Sequence, residues 1–216
     1  MTVAKRALNL RRLRACSEGT RWDVGNGVLY DLCMKHPYHD NLDEVLAKIW
    51  LIGRSYAAAI ERRPKSKSKT VKDTRLGDDF YVNHVGPSML AARVDDWIEP
   101  LRSMKKPCST NVDEILAAHK QLTNLFQQIT GIEKRSLASK YLHFHLPQLF
   151  YLYDSRAADA IRSYEPRTKL TRIPNHFDRV YAPFFLRCLQ LTERIQNHYG
   201  FWMSPRAIDN LLLGLY

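Results

Sequence analysis

Asp154 follows the apolar and aromatic run Leu149–Tyr153 and stands directly before Ser155, Arg156 and Ala157, which read as a helix start. A carboxylate at the edge of such a run is partly desolvated, and that is where acid–base groups are tuned. Upstream, Gly131 marks a tight turn between two helical stretches, with Lys134, Arg135 and Lys140 around it. A glycine turn leading into a helix offers backbone N–H groups and positive charge to a phosphate. The same residues have plainer readings. Gly131 also suits the end of a helix, and Asp154 suits an N-cap, a position that favours Asp.

Gly131, Ile132, Ala138 and Ser139 on one side, and Leu152, Tyr153, Asp154 and Ser155 on the other, resemble the helix-hairpin-helix signature of the base-excision DNA glycosylases. The 8-oxoguanine DNA glycosylase branch is the most similar. Asp154 lies 16 residues after Ala138 (154 − 138), which agrees with the family spacing. The resemblance covers some thirty residues; the preceding helices, including the run from Ile49 to Arg63, are only compatible with the family's first core helices.

The resemblance implies a compact all-α fold carrying that motif, as one domain or two closely packed lobes. It implies no cofactor and a nucleic-acid partner, DNA in preference to RNA. Gly131, Lys134, Arg135, Ser136 and Arg156 become candidates for gripping the backbone. The target nucleotide is flipped into a pocket, and Asp154 stabilises positive charge on the sugar or activates water, giving N-glycosidic hydrolysis. Tyr141, Phe144, Tyr151 and Tyr153 are candidates to stack on the base, although most aromatics at this spacing belong to the core.

The departures limit the chemistry. Glu133 stands where the family has its second hairpin glycine, so the turn is more acidic. Ser136 stands where bifunctional members carry the lysine that forms a Schiff base. Lys140 lies one helical turn beyond Ser136 on the same face, and Lys134 is also near; either is a candidate replacement. Without one of them, hydrolysis without lyase activity remains, or a scaffold kept for binding alone. A third expectation is an interaction component of an operon-encoded assembly, such as bacterial anti-phage defence; no residue here points to it.

Other signals are weaker. His143 and His145 sit two apart, so on a helix they diverge, and no third ligand is evident; no metal site is expected. His36 and His39 flank Pro37, which favours a loop. Arg54 lies in an apolar helix and needs a partner, either a structural carboxylate or a ligand in a base pocket. Nucleotide-binding glycine motifs and GxSxG are absent from the chain.

The elements that must position these residues read as helices throughout. Helical spacing appears over residues 3–15, 22–34 and from Asp43 to about Arg63, where Pro64 stops the pattern. A short extended piece is expected near Val82–Val85. Further helices are expected over 88–103, 111–130, 135–145, 154–163 and 176–199, with a last one opened by Ser204–Pro205. No internal repeat or long linker divides residues 1–216, so one helical domain is expected, with a basic helix over 1–20 and a basic exposed loop over 64–75.

Composition sets the partners. The chain carries 33 Lys and Arg against 22 Asp and Glu, a net charge of +11. Arg62, Arg63, Lys65, Lys67, Lys69, Lys72 and Arg75 face one Asp73, and residues 5–14 hold no acid. A polyanion suits that surface through counterion release. Cys16, Cys33, Cys108 and Cys188 form no ligand or redox spacing, so reduced thiols and a cytoplasmic setting are expected. No apolar run approaches a membrane span, so no membrane partner is expected.

Overall fold

Several helix starts are written in single side chains. Asn9 accepts from the Arg12 N–H and opens α1 (Leu10–Ser17). Asn41 accepts from the N–H groups of Asp43 and Glu44 and opens α3 (Leu42–Ser55). Asp154 accepts from Ala157 N–H at 2.8 Å and opens α9 (Ser155–Tyr164). Ser204 does the same for Ala207 in α11 (Pro205–Leu213), with Pro205 at the first position. Each satisfies an N–H that has no partner within its own helix.

The computed structural model describes residues 7–62, 78–166 and 174–215, and all regular structure among them is helical. Besides the elements above, it contains α2 (Asp23–Lys35), α7 (Val112–Thr130), α8 (Arg135–His145) and α10 (Tyr181–Tyr199). Shorter pieces α4 (Asp78–Phe80), α5 (Gly86–Ala91) and α6 (Asp95–Ile98) lie between α3 and α7. No described helix is long and apolar enough to cross a membrane.

Four expectations are corrected. Val82–Val85 is not extended: Tyr81–Val85 forms a wide helical turn between α4 and α5. The helix expected over 88–103 is broken, because Arg93 takes a left-handed backbone (φ 53°) between α5 and α6. Helix α3 ends at Ser55 rather than near Arg63, with Ala57 at φ 49° turning the chain. Helix α10 begins at Tyr181 rather than His176, where Asp178 Oδ1 accepts from the N–H groups of Val180 and Tyr181. The basic loop with Lys65, Lys67 and Lys69, and the first six residues of the basic N-terminus, lie outside the described residues.

Buried side chains from Leu13 to Leu212 form one continuous core. Helix α8 runs through it, packed against α2, α3 and α7, and is buried on all sides from Leu137 to His145. A helix so enclosed must satisfy its polar groups internally. Ser139 Oγ donates to Ser136 O and accepts from Tyr153 N–H. The Phe150 carbonyl can only accept, so His143 carries its proton on Nδ1 and its Nε2 accepts from Tyr30 OH at 2.7 Å. Helix α11 packs on α1 and α9, which brings it beside the helix that Asp154 caps.

Candidate active-site cleft

Asp154, Lys140 and Asp209 line one cleft of about 590 Å³, together with Arg206, Tyr56 and Trp22. Four separate elements and a cap converge there. Lys140 comes from α8, Asp154 from the start of α9, Asp209 and Arg206 from α11, Tyr56 from the end of α3, and Trp22 from the start of α2. Leu29, Leu152 and Leu213 supply apolar wall. That volume and mixed lining suit a small organic group.

Asp154 serves the cap and the cleft at once. Oδ1 holds the Ala157 N–H, and the residue is only half-buried on the cleft side. The N-terminal end of α9 places partial positive charge behind the carboxylate.

Lys140 is 3 % exposed. Its Nζ donates to Ser136 Oγ at 2.8 Å and to Tyr153 O at 2.6 Å, and lies 5.9 Å from the centre of the Tyr56 ring. Burial pushes its pKa below the ordinary lysine value, while Asp154 and Asp209 pull it back up. Loss of its proton would leave two N–H groups for these two acceptors and a lone pair free for attack.

Asp209 was not anticipated from sequence. It is 4 % exposed, and Oδ2 accepts from Arg206 Nη1 at 2.7 Å. Burial raises its pKa to about 6 against the lowering effect of Arg206 and Lys140. Tyr56 follows α3 directly and also lines the cleft. Its hydroxyl donates to Asn26 Oδ1 at 2.7 Å, which fixes the ring at the cleft, and burial raises its pKa to about 12. The signal for Asp209 was its place among Ala207, Ile208, Leu211 and Leu212, an acid on an otherwise buried helix.

The remaining sequence-derived residues divide. Arg156 lines the cleft at its exposed edge. Ser136 supports Lys140 and donates to Tyr153 O at 3.0 Å. Gly131 ends α7 in the left-handed conformation (φ 73°), which glycine adopts without strain. Its N–H donates to Gln127 O, and Ile132 N–H to Thr130 Oγ1, so these two turn donors are used within the chain. No side chain caps the first turn of α8. Burial works against the Arg135 charge, but Asp178 and Glu133 hold its pKa above the ordinary value; both accept from its guanidinium. Lys134 Nζ donates to Arg62 O and does not line the cleft.

The base-pocket assignments change most. Tyr141 is wholly buried, its hydroxyl bonded to His39 Nε2 at 2.7 Å, where Asp95 fixes the other ring nitrogen. Phe144 packs in the core between Tyr30 and Tyr56. Tyr151 is buried with its hydroxyl on Thr192, and Tyr153 packs edge-on against Phe184 and Tyr181. Arg54 pairs with Glu61 at 2.5 Å, the structural option. None of these five lines the cleft, whose aromatic groups are Tyr56 and Trp22. Among the described residues no group of His, Cys, Asp and Glu is arranged to hold a metal, and all four cysteines are free thiols.

In comparisons with known proteins, no protein-family model matches the chain, and neither a curated protein nor a solved structure matches it.

Proposed function

We propose that the protein is a DNA glycosylase-like hydrolase that binds nucleic acid and cleaves the N-glycosidic bond of a flipped nucleotide in the Asp154 cleft. One observation carries the reading. Asp154 keeps one oxygen on its cap and lines an open cleft beside a buried amine and an aromatic face. The carboxylate stabilises positive charge at the sugar C1′ and orients water there. Tyr56 and Trp22 offer flat faces to the extruded base. Arg156 and the uncapped start of α8 meet the flanking phosphates.

The experiment is base release from duplex and single-stranded oligonucleotides carrying one uracil, hypoxanthine, 8-oxoguanine, 7-methylguanine or 5-hydroxymethylcytosine. Release of at least one base, lost in Asp154→Asn, supports the reading. No release from any substrate overturns hydrolysis and leaves binding as the function of the scaffold.

A second reading of the same site rests on Lys140. Its buried amine shares the cleft with Asp154 and is held by Ser136, the position at which the glycosylases that this segment resembles carry their lysine. The amine then attacks C1′ in place of water and adds lyase activity. Borohydride trapping of a protein–DNA adduct separates this route from simple hydrolysis.

A further inference from the structure

Asp209 has no part in the reaction just described, yet it is the most deeply buried carboxylate at the cleft. Arg206 bonds Oδ2, the one hydrogen bond that Asp209 accepts among the described residues, and no described residue bonds Oδ1. A carboxylate so enclosed is costly unless its second oxygen carries a proton or meets a ligand donor. Two carboxylates in different surroundings on one cleft divide naturally into an anion and an acid. Asp154 sits on a helix N-terminus at the half-exposed edge, while Asp209 sits inside the apolar wall.

We infer that Asp209 is the general acid of the site, delivering a proton from Oδ1 to the departing base while Asp154 serves the sugar. The inference rests on the glycosylase reading above. The C1′–N bond breaks, and its electron pair passes into the base. The Asp209 proton goes to a ring nitrogen or carbonyl oxygen of that base. Water adds to C1′ and gives a proton to Asp154, which passes through solvent to restore Asp209, so sugar hydroxyl and neutral base are the products.

The charges around Asp209 come from every neighbouring element. Arg206 lies on its own helix, Lys140 on α8, Asp154 and Arg156 at the start of α9. Tyr30 on α2, Tyr56 after α3 and Cys188 on α10 also sense it. The side facing α1 holds Asn210, whose amide donates to Cys16 O. Burial outweighs the nearby cations, so the proton is held up to about pH 6. The rate therefore rises as pH falls towards 6 and levels off below it.

The test compares wild type, Asp209→Asn and Asp209→Glu on two oligonucleotides. One carries the neutral base released fastest in the panel above; the other carries 7-methylguanine, which is already cationic and departs without a proton. The amide in Asp209→Asn keeps an oxygen for Arg206, and circular dichroism checks the fold. The expected result is a loss of roughly 10²-fold for the neutral base with its pH limb removed. Release of 7-methylguanine changes less than about 3-fold, a split that a merely structural loss would not produce. Asp209→Glu restores a pH limb. If 7-methylguanine is no substrate, the pH limb alone decides. A limb that survives in Asp209→Asn, or equal loss on both substrates, overturns the inference and leaves the Asp154 reading standing. Release insensitive to Asp154→Asn, with the limb lost in Asp209→Asn, overturns the Asp154 reading and keeps the acid. No release at all overturns both.

Discussion

Lys140 is where single-residue chemistry is easiest to separate from structure. Its amine is buried with two acceptors, Ser136 Oγ and Tyr153 O, on one side of the cleft. Replacing it with Met removes a buried amine; the Tyr153 carbonyl keeps the Ser136 hydroxyl as donor, while the Ser136 oxygen loses the donor it accepts from. The transfer gain and the lost hydrogen bonds oppose each other, so net stability changes by no more than about 2 kcal/mol in chemical denaturation. Activity separates the two readings of the site. Under lysine attack, Lys140→Met loses all borohydride-trapped adduct. Under hydrolysis, no adduct forms in wild type and Lys140→Met retains base release. The candidate lysines were both visible in sequence, but spacing alone did not choose between them. The structure separates them, because α8 carries Lys140 into the cleft while Lys134 meets the Arg62 carbonyl.

At the scale of elements, the α3 terminus shows how backbone geometry places a site residue. A Cβ on Gly53 would lie 3.1 Å from Ala59 Cα, so glycine gives the close approach by which the chain folds back after Ser55 and holds Tyr56 at the cleft. Gly53→Ala is expected to cost about 1–3 kcal/mol through that overpacking, measured by urea unfolding, and to displace Tyr56 from Asn26. Buried α8 sets the acid response. Burial holds His143 down at about 3, and on neighbouring α7 it holds His119 at about 4. Both lie below the unfolded histidine value. The unfolded chain therefore takes up protons first, and stability falls as pH drops below about 6.5. Each such histidine contributes a slope near 1.4 kcal/mol per pH unit within its window. Asp209 opposes them, since its folded pKa lies above the ordinary carboxylate value and the folded state gains its proton first between about pH 4 and 6. Urea midpoints between pH 7 and 5 should fall, and should fall less steeply in His143→Gln. A flat profile would contradict a neutral, buried His143.

Across the whole molecule, the long amphipathic helices were legible because their apolar spacing repeats over several turns, as in α7. The segment from Asp78 to Leu101 was not, because local turns at Arg93 and Tyr81–Val85 depend on packing against α3 and α7 rather than on periodicity. Part of the cleft was legible: Asp154, Lys140 and Arg156 are close in sequence, and a cap and a helical turn suffice to relate them. Tyr56, Trp22, Arg206 and Asp209 join them only through tertiary folding, so sequence spacing held no record of their meeting. Aromatic residues near Asp154 in sequence were drawn instead into the core. Net charge operates at this same scale. With +11 on the chain, affinity for duplex DNA should fall steeply with salt. Replacing Lys65, Lys67 and Lys69 together should weaken binding and reduce the log–log salt slope by up to about 3, read by fluorescence anisotropy. An unchanged slope would exclude that run from phosphate contact. The central claim is tested most directly by single-turnover base release with wild type and Asp154→Asn on the same oligonucleotide. Asparagine caps a helix as well as aspartate does, so the two proteins should unfold together. Equal stability is expected, with release reduced by about 10²-fold or more in the variant; equal rates from the two proteins would contradict a role for the Asp154 carboxylate in base release.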